Sequence, residues 1–490
     1  MQDAVFYNPG FLVNLAQIEE LSGKYAEYKI QKSLLDYDDL LIYAKKLLDH
    51  RRIREYLSEK YKYIMIDEYQ DTNRMQADIA QLLASSHYNI MVVGDDAQSI
   101  YGFRGATHAN IMDFPKRFPG CRIIKLEENY RSTQAILNLA NSVLENMENK
   151  YSKCLVSARK EAGEKPQIFF FNDAYTEAQW IADKISELTG QGVGLAEQAV
   201  LFRSSYISIP LQAELSKKGI PFTVFGGLKF YETSHVKDLM AHLRVILNFK
   251  DEVSWLRLLT LIEGIGPKTG EKILKQIAQQ KGLDLAKFNA RLNKLQSALK
   301  AAAGLKPDIS GQFGVILDYY IPILKEKFDD WNLRLNDLET LKQIAGQYDS
   351  LEELLADFTI DSPAADSAKN NPLSSAGGKT LTLSTIHSAK GLEWSYVFIL
   401  GMAEGTFPVS FALDDDNEIE EEHRLLYVAL TRAKNNLLLS LHYETNRMGI
   451  NQFNQVSRFI DSPNILSKLE KQAIMDPDID QEIIFADTKY

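Results

Sequence analysis

Short apolar runs, each followed by a polar or acidic turn and then helix-like text, predict an α/β fold. The runs are Ile64-Met65-Ile66, Ile90 to Val93, Ile168 to Phe171, Ala199 to Phe202, Val397 to Leu400 and Leu437 to Leu439. Runs of this length bounded by turns read as buried parallel strands, and the text between them as crossover helices. Chemistry in such sheets gathers just beyond the carboxyl ends of the strands, so the residues after each run carry the most weight. Hydrophobic residues at 45% and charged residues at 25% of 490 exclude collagen-like and wholly disordered chains.

The formal charge of −11 argues against a uniformly basic nucleic-acid coat but leaves room for a local basic track. Cys121 and Cys154 are the only cysteines, too few for a disulfide framework or a Cys-rich metal site. No apolar run approaches the roughly 20 residues of a spanning helix. Asp3, Glu19 and Glu20 spoil the layout of a signal peptide, so a cytoplasmic protein without a membrane partner is expected.

Between about 235 and 375 the strand signal fades and helical text takes over, as in Leu283 to Ala303 and Leu335 to Phe358. Asp361 to Gly378, rich in Ser, Ala, Asn, Gly and Pro, reads as a flexible loop. Asp414, Asp415, Asp416, Glu418, Glu420, Glu421 and Glu422 read as a solvated helix start without chemistry of their own.

The strongest local signal is Tyr63 to Thr72, an apolar strand that delivers the adjacent carboxylates Asp67 and Glu68. Such a pair suits nucleotide hydrolysis: Asp67 holds Mg²⁺ and Glu68 orients and deprotonates the attacking water. An acidic turn at a strand end is the bland alternative, and the recurrence of the same layout downstream weakens it. Val92 to Ala106 repeats the layout of strand, Gly turn and polar cluster, with Gln98 and Arg104 suited to sensing a γ-phosphate. Tyr101 and Phe103 are aromatic platforms for unpaired bases, each stacked base being worth about 1–3 kcal/mol. Gly264-Ile265-Gly266-Pro267-Lys268 places a glycine turn before a helix, where backbone N–H groups face a phosphate. From 264 to 306 there are nine Lys or Arg against two acids, a basic track within an acidic whole.

DEYQDT at 67–72, GDDAQSIYGFRGA at 94–106, LEENYRST at 126–133, AVLFRSS at 199–205, TIHSAKGLEW at 385–394 and EEEHRLLYVALTRAK at 420–434 resemble the ordered motifs of superfamily 1 helicases of the UvrD, Rep and PcrA group. The resemblance covers roughly residues 35 to 460. It implies two RecA-like parallel-sheet domains, the first incomplete, with helical insertions, ATP between the domains and single-stranded or partly duplex DNA across them. Matched residue by residue, Asp67 and Glu68 keep their Mg²⁺ and base roles and Gln98 couples the phosphate to DNA. Arg203 and Arg432 resemble arginine fingers, with Arg104 and Arg131 as supporting contacts. Phe202 is placed to stack on adenine, and Glu393 to accept a ribose hydroxyl. His387 is similar to a residue linking DNA to the ATP cleft, and Gly264, Gly266 and Lys268 to a DNA-contacting element. The implied layout is a helical tail at 1–35, a partial first domain at 36–160, a second at 161–295 with 376–465, a reduced helical insertion at 296–375, and a tail at 466–490.

One departure bears on function. The phosphate loop G-x-x-x-x-G-K-[ST] does not occur; Gly378-Lys379-Thr380 has its ending, but Leu373 stands at the first glycine position. The leading expectation is therefore a DNA-stimulated, 3′–5′ ATP-dependent helicase whose present chain alone hydrolyses ATP poorly, with a separate chain as one source of the phosphate loop. The competing expectation is a non-catalytic DNA-binding or regulatory module, or one half of a split helicase.

Overall fold

The computed structural model describes residues 15–32, 34–225, 233–279, 290–328, 331–346, 348, 350–357, 380–447 and 450–474. The chain divides into two compact units, 1–124 and 125–490. The division expected at 160/161 is thus displaced to 124/125. The cause is the helix Gln134–Glu145, whose Ile136, Leu137, Leu139, Ala140, Val143 and Leu144 are buried, and which packs on the helix Asp416–Leu430 of the second unit. The chain before that helix is tied to the same place, with Ser132 Oγ donating to the Ala433 carbonyl at 2.6 Å and Thr133 N to that of Lys434 at 3.1 Å.

In the first unit the helices Leu15–Lys32, Tyr37–Asp49 and Arg51–Lys60 precede strand β1 (Ile64–Ile66). Asp36 starts the second helix through a capping box with Asp39, the two exchanging backbone-to-carboxylate bonds of 2.9 and 3.0 Å. The helix Arg74–Leu83, capped by a second box between Asn73 and Gln76, carries the chain from β1 to β2 (Ile90–Val92). The strands pair in parallel, Ile64 opposite Ile90, Met65 opposite Met91 and Ile66 opposite Val92. A helical crossover of this kind is what parallel pairing requires.

The second unit opens with two short paired strands, β3 (Glu128–Asn129) and β4 (Val156–Ser157). Its main sheet comprises β5 (Gln167–Asp173), β6 (Gln198–Phe202), β7 (Phe222–Phe225), β8 (Leu381–Thr385), β9 (Trp394–Ile399), β10 (Ala433–Arg447), β11 (Ile450–Phe453) and β12 (Glu470–Ile474). The order is β12-β5-β10-β9-β6-β8-β7, parallel throughout, with β11 antiparallel on β10. Four of these strands are the predicted apolar runs. The other three parallel strands, β7, β8 and β12, escape the pattern because Thr, Ser, Gln or Lys interrupts their apolar residues. The predicted tail at 466–490 accordingly contains an edge strand, while 475–490 lie outside the described residues.

Phe169, Phe171, Val200, Phe202, Leu383 and Phe398 form the core of one sheet face with the helices Ala174–Gly190 and Ile209–Lys217. The helical text read from about 235 is helical from Ser234, and it extends well before the insertion drawn at 296–375. Helices from Ser234–Leu247 to Leu351–Asp357 share one core that includes Val236, Trp255, Phe313, Tyr320 and Leu354. Buried Asp238 knits them, accepting from Arg257 Nε at 2.6 Å and from Tyr320 OH at 2.7 Å. Of the predicted helical stretches, 290–303 is helical and 283–289 lies outside the described residues; 335–358 is two helices, Trp331–Ala345 and Leu351–Asp357. The predicted loop at 361–378 also lies outside them. No helix among the described residues is long and apolar enough to cross a membrane.

Candidate functional site

In the first unit the ladder continues past the strand ends: Val93 N donates to the Ile66 carbonyl at 2.8 Å and Tyr69 N to that of Val93 at 3.0 Å. Asp67 and Glu68 therefore leave the sheet on a loop whose direction is already set. Glu68 has φ 50° and ψ 41°, a left-handed conformation that non-glycine residues adopt at a cost of about 1–3 kcal/mol. Its N–H turns back to Asp67 Oδ1 at 2.9 Å. Both carboxylates are exposed, and the loop beneath them is held by Gln70, which is fully buried.

Gln70 Nε2 donates to Glu68 Oε2, and Gln70 Oε1 accepts from Asp95 N at 3.1 Å. Asp95 Oδ2 in turn accepts from Gln98 Nε2 at 2.8 Å. One neutral amide thus joins the acidic loop after β1 to the loop after β2, and links Glu68 to Gln98. Gly94 makes this approach possible, because a Cβ there would stand 2.5 Å from Gln70 Oε1 and 3.3 Å from Tyr69 N. Tyr101 and Phe103 meet edge to face at 6.0 Å, and Arg104 Cζ lies 5.4 Å from both ring centroids. Phe103 is largely exposed, whereas Tyr101 is half-buried and burial pushes its phenol up.

The second unit gathers cations. Glu393 pairs with Arg131, and with Lys434 Nζ at 2.7 Å; Lys434 and then Arg131 hold its carboxyl below the usual range. Arg159 Nη1 donates to the carbonyls of Arg131 at 2.9 Å and Lys434 at 3.0 Å, fixing the two loops that carry these cations. Tyr130 is 73% exposed, its ring next to Arg131 in the chain and its hydroxyl donating to Glu128 Oε2 at 2.7 Å.

Arg432 is only 1% exposed. Its guanidinium donates to the carbonyls of Val428 at 3.0 Å and Leu392 at 3.1 Å and to Thr431 Oγ1 at 3.2 Å, closing the carboxyl end of the helix Asp416–Leu430. Arg203 is mostly buried and its Nε donates to Glu422 Oε1 at 2.6 Å. Glu422 is 3% exposed and also accepts from Val409 N at 3.3 Å; burial pushes its carboxyl up against the opposing pull of Arg203.

These placements correct three expectations. Phe202 is 0% exposed and belongs to the sheet core, so its ring offers no face to adenine. Arg432 is engaged with protein groups and not presented at a surface, and Arg203, partly exposed, is engaged with Glu422. Glu422, read as part of a solvated run, is the buried counter-charge of Arg203, while Asp415 does cap the helix, accepting from Asn417 N at 2.8 Å. His387 sits half-buried on the short turn Ile386–Ala389 after β8. Gly264 has φ 85° and is exposed with Gly266 and Lys268, while Ile265 between the glycines is buried and anchors the turn before the helix Pro267–Gln279. Asp67, Glu68, Gln98, Tyr101, Phe103 and Arg104 are therefore on one unit; Arg131, Glu393 and Arg432 lie around one pair of loops on the other.

Residues 12–119 match the model of the UvrD/REP helicase N-terminal domain, and residues 124–444, about two thirds of the chain, match that of the UvrD-like helicase C-terminal domain. The chain belongs to the UvrD-like helicase family. The family boundary between 119 and 124 coincides with the division into units. The ATP-dependent DNA helicase PcrA of Bacillus subtilis is 34% identical over 469 residues, covering 90% of this chain and 63% of the relative. PcrA of Staphylococcus aureus (strain Mu50) is 35% identical, covering 89% and 63%, and a probable DNA helicase II homolog of Rickettsia felis is 34% identical, covering 86% and 68%. The chain thus spans a little under two thirds of the PcrA relatives. Sequence reasoning singled out none of Gln70, Tyr130, Arg159 and Lys434 and read Glu422 only as part of a solvated run. All but Arg159 lie inside a motif, yet only burial and pairing separate their roles from those of their neighbours.

Proposed function

We propose that this chain carries the hydrolytic and DNA-handling side chains of an ATP-dependent DNA helicase of the UvrD type, moving 3′ to 5′ in the cytoplasm on single-stranded and partly duplex DNA. The observation that carries the reading is the strained, exposed Glu68 beside Asp67, tied through Gln70 and Asp95 to Gln98. A base that must meet a water is kept at the surface, and its linkage to Gln98 gives a path by which phosphate and DNA contacts inform each other. The donor set fits Mg²⁺: exposed Asp67 suits an ion that takes one or two carboxylates and completes its shell with phosphate and water, which leaves Glu68 as the base. Bound Mg²⁺ would supply charge neutralisation at the phosphates. Glu68 would orient and deprotonate the attacking water.

In the second unit, Arg131 carries a guanidinium suited to a phosphate. Exposed Tyr130 beside it offers the ring face that Phe202 lacks, and Glu393, kept ionised by Lys434 and Arg131, can accept from a ribose hydroxyl. Arg432 and Arg203 support this edge from within, Arg432 through the loop that carries Lys434. Phe103 and Tyr101, with Arg104 over them, stack unpaired bases; His387 and the Gly264–Lys268 turn contact the nucleic-acid backbone. The phosphate loop is supplied by a further segment, and without it the chain is ATPase-deficient. The absence of G-x-x-x-x-G-K-[ST] from the sequence equally favours a second reading, a DNA-binding or regulatory module. Steady-state ATP hydrolysis after that segment is supplied decides between them: stimulation by single-stranded DNA that disappears in Glu68→Gln supports the helicase, and DNA binding with no hydrolysis supports the module.

A further inference from the structure

Buried carboxylates are normally paired or hydrogen-bonded, because an unanswered charge away from water is costly. Glu177, Asp238 and Glu422 obey the rule: each is deeply buried and accepts at least two hydrogen bonds. Glu214, on the helix Ile209–Lys217, is the exception. It is only 4% exposed, and its one cationic neighbour among the described residues, Lys218 Nζ, stands 3.5 Å away. Lys218 is committed elsewhere: it donates to Asp183 Oδ1 at 2.8 Å, and that carboxylate does most to push its ammonium above the usual range. What Glu214 lines instead is a cavity of about 30 Å³, room for about two waters or one small cationic head, where the helices on the sheet meet the helical part of the second unit.

The rest of the lining selects the occupant. Tyr175 of the helix Ala174–Gly190 and Tyr348 bring aromatic rings, and Glu353 of the helix Leu351–Asp357 brings a second, exposed carboxylate. Acids set among rings suit an alkylammonium ion, whose N–H donors meet oxygen while its charge and methylenes meet the ring faces. Mg²⁺ demands near-octahedral oxygen and keeps much of its water, so one buried carboxylate among rings serves it poorly. Lys217, exposed and also lining the cavity, carries an ammonium of the same kind and competes for the place. We propose that this cavity binds a primary ammonium end of a free polyamine, with Glu214 as its main acceptor, and that the bound cation fastens the helix Leu351–Asp357 to the helix Ile209–Lys217. The site is independent of the reaction proposed above.

Equilibrium dialysis of the full chain against labelled putrescine tests this. One saturable site per chain is expected. Glu214→Gln keeps the shape and removes the charge, and should weaken binding about tenfold, with Glu353→Gln weakening it about threefold. Lys217→Gln removes the competing ammonium and should tighten binding, a gain that a misfolded variant cannot imitate. Glu187→Gln, at an exposed acid far along the helix that carries Tyr175, should change nothing, which separates a site from general attraction to an acidic chain. Amide exchange at residues 351–357 should slow when putrescine is added to the unaltered chain, and not in Glu214→Gln. The proposal is overturned by the lack of a saturable site, by binding that Glu187→Gln weakens as much as Glu214→Gln does, or by binding indifferent to both Glu214→Gln and Glu353→Gln. Displacement of putrescine by an equal concentration of Mg²⁺ overturns it as well, since the site would then take hard cations.

Discussion

The loops after β1 and β2 and the loops around Arg131 secure their functional side chains by different means. In the first unit, exposed carboxylates rest on a buried neutral amide, Gln70, and on the room left by Gly94. In the second, cations are held by counter-charges, one buried (Glu422 with Arg203) and one near the surface (Glu393 with Arg131 and Lys434). An acidic edge needs support that does not neutralise it; a basic edge can be fixed by acids and still present a net positive charge. The difference also decides which replacements should be costly.

The largest effect is expected at the buried pair. Glu422→Ala leaves Arg203 mostly buried without its acid and should destabilise the second unit by about 3 kcal/mol, with Glu422→Gln milder because its remaining carbonyl oxygen can keep the bond from Arg203 while the longer one from Val409 N is lost. All four tryptophans, at 180, 255, 331 and 394, belong to this unit, so urea unfolding followed by tryptophan fluorescence reads it directly. An unshifted midpoint would show that the pair is dispensable.

Acid should reveal the same buried polarity. Burial lowers His423 and His242 to about 4 from 6.5. The unfolded chain therefore binds these protons first, and stability contributed by the neutral imidazoles is intact above pH 6.5 and falls between 6.5 and 4 by up to roughly 3 kcal/mol for each. His423→Gln should flatten that part of the stability curve. An unchanged slope would contradict the assignment.

Gly94→Ala probes the other region. Its Cβ would force Gln70 aside, and overpacking of this kind costs about 2 kcal/mol. Amide exchange at 64–72 should accelerate while the tryptophan transition stays put; a shift in both would mean that the effect is not local. At the surface cluster, Glu393→Ala should cost less than about 1 kcal/mol, since screened pairs contribute little. A larger loss would show that Arg131 and Lys434 depend on it structurally.

Legibility in the sequence tracks locality. The strand-end carboxylates, Gly94 and Gln98 stand within a few residues of an apolar run, so position alone exposes them. The pairs that cross the chain were not legible: Arg203 with Glu422, 219 residues apart, and Arg131 with Glu393, 262 residues apart, leave no periodic trace. Phe202 shows the same limit from the other side. A phenylalanine before an arginine at the end of a strand reads equally well as a platform or as core, and the double-sided burial of a central parallel strand settles it as core. The helical part was visible as text without strands, and the start read at about 235 agrees with the helix Ser234–Leu247; what the text did not show is that His235, Asp238 and His242 on that helix are buried, residues that composition assigns to the surface.

The claim on which the account turns is that the loops after β1 and β2 serve one reaction. A double-mutant cycle on DNA-stimulated ATP hydrolysis, with the phosphate-loop segment supplied, tests it through Glu68→Gln and Gln98→Ala. Groups acting on one transition state are strongly non-additive, so the double variant should be no slower than the slower single one; losses that multiply would place Glu68 and Gln98 in separate events and contradict the account.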